Sequence, residues 1–161
     1  LPYFIDGDFK LTETLAIIMY IAEKNGKGGC SIEERAILRM VYGRINDIRT
    51  GLVRICYSKD FDSLKPGYLE SLPKSLSELA AYLEKHKWFS GKQPDYPDFN
   101  AYDLFDTLIT FQHGCLNDYP KILEFMENFK VLPGVKEYLL SSSYMKWPFN
   151  NKIAMWGGDS E

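Results

Sequence analysis

The order of elements in this sequence predicts a chain in two parts, a short α/β piece followed by an all-α bundle. Three observations predict it. Residues 3–11 read as two short apolar runs, PYFI and FKL, joined by DGD, and Asp-Gly between such runs is a strong hairpin signal. The stretch NGKGG at 25–29 interrupts the chain with glycines and reads as a linker. Beyond it, apolar residues recur at helical spacing through a series of helices.

Each element has its own warrant. After the hairpin, TLAIIMYIAEK places Leu15, Ile18, Ile21 and Ala22 at helical spacing. A two-stranded hairpin is marginal in water, so this piece is expected to need further strands, and their natural place is upstream. Ser31 and Glu34 form a capping box that opens a long helix ending near Tyr57. Ile37, Leu38, Val41, Ile45, Ile48, Leu52 and Ile55 build its apolar face. At about 100° per residue, Asp47, Thr50, Arg54 and Tyr57 fall together on a different, polar side. A further amphipathic helix is expected to start near Pro66. Asp95 and Asp98 stand at capping-box spacing before another helix, and carboxylates at a helix N-terminus suit the macrodipole. Two more helices follow Pro120 and Pro133-Gly134. The remaining residues, SSSYMKWPFNNKIAMWGGDSE, are irregular and rich in aromatics.

Composition limits the function. The 161 residues are 45% hydrophobic and 15% aromatic, enough for a sizeable core and unlike a disordered chain. A net charge of −3 without a long run of one sign lacks the basic footprint of a nucleic-acid binder. No stretch approaches the ~18 consecutive apolar residues of a spanning helix. Cys30, Cys56 and Cys115 are odd in number and widely spaced, which reads as reduced thiols with no metal site. Cys56 is expected in the core. His86 and His113 have no ligand-spaced partners and read as solvated or locally bonded.

Several separated blocks carry a family resemblance. LPYFIDGDFKLTETLAIIMYIAEK resembles the second half of the thioredoxin-like domain of cytosolic glutathione transferases. TLAII resembles their SNAIL/TRAIL motif. INDIRTGLVRICYSKDF, FNAYDLFD, CLNDYP and LLSSSYMKWP resemble the mu class and its flatworm members. The resemblance implies a glutathione transferase fold: residues 1–25 ending the thioredoxin-like domain, 26–30 a linker, and 31–161 an all-helical domain. It also implies a βαβ unit before Leu1, carrying the tyrosine that stabilises the glutathione thiolate.

The resemblance assigns roles residue by residue. Leu1 and Pro2 resemble the cis-proline turn whose backbone pairs with the cysteinyl part of glutathione, like an added strand; an ordinary proline opening an edge strand is the plainer alternative. Glu13 and Thr14 stand where the family binds the γ-glutamyl group. Thr14 would meet the carboxylate at a helix N-terminus and Glu13 the ammonium. The usual mu-class residue at Glu13's position is Gln. Plain capping by Thr12 or Thr14 is the alternative. Asp47 resembles the aspartate that reaches glutathione bound in the neighbouring subunit; pairing with Arg44 or Arg54 is the alternative. Tyr57 resembles a tyrosine that lines the electrophile pocket and donates a hydrogen bond to a developing oxyanion. Arg49 and Arg54 resemble arginines of the electrophile pocket or the dimer cleft, and Asn150 a further pocket residue; the plain polar face of a long helix is the alternative for the arginines, and Arg49 points away from the Asp47 side. Trp147, Phe149 and Trp156 read as packing residues. Asp98 and Asp103 resemble the buried capping hub of the central helix, where Asp95 replaces a more usual Ser or Thr.

The implied activity is attack of the glutathione thiolate on small hydrophobic electrophiles, in a cytoplasmic homodimer, with glutathione as co-substrate, no metal, and neither nucleic acid nor membrane as partner. A non-catalytic ligand-binding protein and a sigma-like prostaglandin isomerase are the alternatives.

Overall fold

Tyr3–Asp6 (β1) and Phe9–Thr12 (β2) pair antiparallel, with Tyr3 opposite Thr12 and Asp6 opposite Phe9. The computed structural model describes residues 2–158. The turn is Gly7-Asp8, one residue beyond the Asp-Gly pair, because Asp6 still belongs to the strand. Gly7 takes φ 61°, and a left-handed residue at the first loop position is what a tight hairpin needs.

Thr14–Lys24 (α1) packs on the hairpin. The Tyr20 ring lies 5.9 Å from Phe4 and 4.9 Å from Phe9. Its hydroxyl donates to Asp6 at 2.9 Å, and Lys24 pairs with the same carboxylate. The apolar face of α1 is only partly covered: Ala22 is buried while Leu15 and Ile21 stay exposed.

Ile32–Cys56 (α2) begins at the expected capping box. Ser31 Oγ accepts the Glu34 N–H at 3.1 Å, and the Glu34 carboxylate accepts from Ser31 and Cys30. Its buried stripe contains the expected residues except Ile37, which is 44% exposed. Ile37 sits at the stripe's edge, about 100° from Leu38, which takes the buried position one residue on. Tyr42 completes the stripe, its ring 5.8 Å from Tyr96.

Phe61–Leu83 (α3) begins five residues before Pro66, and both Pro66 and Pro73 lie inside it. Each proline removes one backbone donor. The helix persists because Leu72, Leu76, Leu79 and Leu83 bury a continuous face against α2 and Pro120–Lys130 (α5). Tyr96–Phe111 (α4) runs through the centre, and Val135–Leu139 (α6) closes the order. The core between them is aromatic, with Phe89 and Phe125 5.0 Å apart and fully covered. A smaller cluster of Ala22, Leu38, Tyr42 and Tyr96 ties α1 to α2 and α4.

The N-terminus of α4 is held by carboxylates. Asp95 caps it, accepting the Tyr96 N–H at 2.7 Å. Asp98 is fully buried and accepts backbone N–H bonds from Phe89 (2.7 Å), Asp95 (3.0 Å) and Ser90 (3.2 Å). Asp103 lies outside this hub. Two turns further along, its side chain is largely exposed and pairs with Arg49 at 2.7 Å.

The residues after α6 fold back on α2 and α4. Trp156 packs edge-on against Phe111 at 4.9 Å, with Trp147 and Phe149 around it. The Met155 N–H donates to the carbonyl of Cys56 at 2.7 Å. Cys56 is buried as expected, and burial pushes its thiol up to about 11.

Candidate active site

The start of α1 has the features of an anion site. Glu13 precedes the helix at φ 71°, the one non-glycine residue in the left-handed region among the described residues. That conformation costs a non-glycine residue about 1–3 kcal/mol. Among the described residues no side chain, Thr12 and Thr14 included, hydrogen-bonds the first N–H groups of the helix, and its first turn holds no acid, so the capping alternative for Thr12 or Thr14 does not hold. The first N–H groups of a helix need partners, and the positive end of the dipole favours an anion there. Glu13 and Thr14 are both exposed. The pairing of Tyr3 with Thr12 brings Pro2, which is exposed, to the same end of the hairpin as Glu13. Leu1 lies outside the described residues, and with it the geometry of the Leu1-Pro2 bond.

Asp47, Thr50, Arg54 and Tyr57 share the outward face of α2, all exposed. Asp47 makes no ion pair among the described residues. Arg44 instead binds Glu78 (Nε to Oε2, 2.9 Å) and Ser75 Oγ on α3 (2.9 Å). The Tyr57 hydroxyl accepts the backbone N–H of Asn151 at 2.8 Å, which leaves its own proton free to donate.

Arg49 faces the other way, toward α4. Its guanidinium pairs with Asp103 and donates to the Asn100 carbonyl at 2.9 Å and the Asn100 side-chain oxygen at 3.2 Å. It borders a cleft of about 170 Å³ between α2, α4 and the irregular C-terminal residues, lined also by Val53, Asp106, Tyr144, Phe149 and Asn150. Tyr144 donates to Asp106 at 3.4 Å. Burial raises the Asp106 carboxyl above the usual range, and the Tyr144 bond partly offsets this. Asn150 is bound at both ends of its residue: Nδ2 donates to the Trp156 carbonyl at 2.9 Å, and its N–H to Gly157 at 2.8 Å. Among the described residues, no group of His, Cys, Asp and Glu could hold a metal ion, and no helix is long and apolar enough to cross a membrane.

The sequence matches the family described as glutathione S-transferase, C-terminal domain, over residues 46–142, and the corresponding N-terminal domain over residues 1–23. It is 42% identical to the glutathione S-transferase class-mu 26 kDa isozyme of Schistosoma mansoni, over 98% of this chain and 72% of that protein. It is 40% identical to human glutathione S-transferase Mu 3, over 98% of this chain and 70% of that one. The crystal structure of the glutathione S-transferase Blo t 8 superposes with a TM-score of 0.88 at 30% identity, covering 98% of this chain and 75% of that one. The chain belongs to the glutathione S-transferase family.

In this glutathione S-transferase the expected site residues fall into three places. Pro2, Glu13 and Thr14 gather at the hairpin end and the start of α1. Asp47, Arg54 and Tyr57 lie on the outward face of α2. Arg49 and Asn150 share the α2–α4 cleft, so the four expected pocket residues do not line one cavity. Sequence reasoning missed Asn100, Asp103 and Asp106 as the partners and neighbours of Arg49. The spacing of Asp103 and Asp106 on one helix was a usable signal; the pairing of Asp103 with Arg49 across helices was not.

Proposed function

We propose that this chain works as a mu-class glutathione transferase, joining the thiolate of glutathione to small hydrophobic electrophiles. The observation that carries the chemistry is the uncapped start of α1 behind a left-handed Glu13. The γ-glutamyl carboxylate binds there, accepting from the Thr14 N–H and hydroxyl, and the Glu13 carboxylate takes the ammonium. Strain at Glu13 is supported by this role, since such residues cluster at ligand sites. Residues 1–25 belong to the glutathione-binding part, 26–30 to the linker, and 31–161 to the helical domain. Leu1, which lies outside the described residues, is assigned with Pro2 to the cysteinyl group.

In the reaction the sulfur anion forms a bond to the electrophilic carbon. With a chloronitrobenzene, chloride departs with the electron pair. With an epoxide, the C–O bond breaks and the alkoxide takes a proton. Tyr57, whose proton is uncommitted, is the donor. Arg49 and Asn150 border the electrophile in the α2–α4 cleft, where Val53 and Phe149 offer apolar contacts, and Arg54 stands with Tyr57 on the outward face of α2.

The active form is a cytoplasmic homodimer about a two-fold axis. Asp47, exposed and without an ion pair among the described residues, reaches the glutathione of the neighbouring subunit. Exposed Met40, about 20° from Asp47 around the helix, is consistent with a covered face. The test is turnover of glutathione with 1-chloro-2,4-dinitrobenzene by the full-length protein, beside Asp47→Ala. Thioether should accumulate, and Asp47→Ala should weaken glutathione binding about tenfold without unfolding. No turnover sinks the transferase reading, and unchanged affinity in Asp47→Ala removes the cross-subunit role.

A further inference from the structure

The linker between α1 and α2 is fastened to the start of α4 by one side chain. Asp95 is 6% exposed and uses its two oxygens for different tasks. Oδ1 accepts the Tyr96 N–H at 2.7 Å and caps α4. Oδ2 accepts the Gly28 N–H at 2.7 Å, across 67 positions of sequence. A helix cap needs only one oxygen; the second serves the linker. The neighbours reinforce the same junction. Lys27 Nζ donates to the Pro94 carbonyl at 3.0 Å, while its backbone N–H donates to Ala22 of α1 at 2.9 Å. Arg35 on α2 donates to the Gly29 carbonyl at 3.1 Å.

Gly28 is suited to be the contact. It is buried with φ 90°, and a Cβ there would lie 2.9 Å from Cγ of Glu23. Glycine takes this left-handed conformation without the strain that a side chain would bring. The path then continues along one rigid helix. Five and eight residues past the clasp, α4 carries Asn100 and Asp103, which together hold Arg49 at the cleft. In the other direction, α1 runs from the linker back to Glu13 and Thr14.

We infer that Asp95 is a positioning residue: by clasping Gly28 it sets the placement of the glutathione helix α1 against the electrophile cleft of α2 and α4. This rests on the transferase reading above. It leaves the binding of glutathione to α1 untouched and governs how the sulfur is held against the second substrate, a placement on which rate depends steeply.

Two variants of the full-length enzyme test it. Asp95→Ser keeps a cap for α4 but is too short to reach Gly28 as well. Asp95→Asn keeps the shape and one accepting oxygen, and sets an amide NH₂ against the Gly28 N–H. Amide exchange, glutathione affinity and turnover of 1-chloro-2,4-dinitrobenzene are measured on both. Exchange at Gly28 should rise about tenfold, as for loss of one bond to a charged acceptor. Exchange in the body of α4 should stay within about twofold. Glutathione affinity should hold within about twofold while kcat falls about tenfold or more. Unchanged exchange at Gly28 overturns the clasp. A freed Gly28 with unchanged kcat overturns its role in positioning. Parallel loss of α4 protection, affinity and kcat reduces Asp95 to a helix cap. Absence of turnover and of glutathione binding in the unsubstituted enzyme fells the transferase reading, and the positioning role with it, whatever Gly28 does.

Discussion

Replacing Asp98 by alanine should come close to unfolding the helical domain. The side chain is fully buried and accepts three backbone N–H groups, from Phe89, Ser90 and Asp95. Alanine leaves those donors without a partner. An orphaned buried donor costs about 1–3 kcal/mol. Ser90 is only half-buried and can turn to water, so two full penalties and one partial one give a loss of about 3–7 kcal/mol. A domain of this kind has about 5–15 kcal/mol in total. Asp98→Asn keeps the volume and one accepting oxygen, so about half the loss is expected there. Urea unfolding followed by tryptophan fluorescence reads both, since Trp88 is buried beside this hub. A loss below about 1 kcal/mol in the alanine variant, or equal losses in both variants, would refute the reasoning.

Other consequences are as direct. Iodoacetamide at pH 8 should label Cys30, which is exposed, and spare Cys56, which is buried with its thiol pushed up to about 11; peptide mapping that found Cys56 labelled first in folded protein would contradict this. Burial raises the Asp106 carboxyl. Its protonated form is therefore favoured by folding, and that contribution is full below the unfolded value and is lost as pH rises through the folded one. Asp106→Asn should match the parent in stability in acid and exceed it at neutral pH, as read by thermal melts across pH; a constant difference would show no linkage. Tyr57→Phe should slow epoxide opening about tenfold or more and chloronitrobenzene substitution far less, because only the alkoxide needs the donated proton; equal rate losses would rule out the donor role.

Much of this architecture was legible because the signals were local. Ser31 with Glu34 and Asp95 with Asp98 are spacings within one helical turn, and both boxes form as read. The hairpin and α1 follow from Asp-Gly and a 3.6-residue period. What the sequence withheld was mostly the pairing between distant segments. Nothing in the neighbourhood of Asp95 points to Gly28, and nothing near Arg49 points to Asn100. Pro66, read as the start of α3, was misleading for the opposite reason. Its local cost is plain in sequence, while the leucine face that outweighs it becomes visible only when α2 and α5 are packed against it. Ile37 and Tyr42 show the limit of a hydrophobic stripe, since which edge is buried depends on the neighbour.

The central claim is that the start of α1 binds the γ-glutamyl end of glutathione. It is tested most directly by titrating glutathione into isotopically labelled full-length protein and following the backbone amides. The account requires the Thr14 and Leu15 amides to shift and saturate, and Thr14→Ala to weaken binding about tenfold, as for loss of a hydrogen bond to a charged group. Saturable shifts elsewhere, with these amides unmoved, would contradict it.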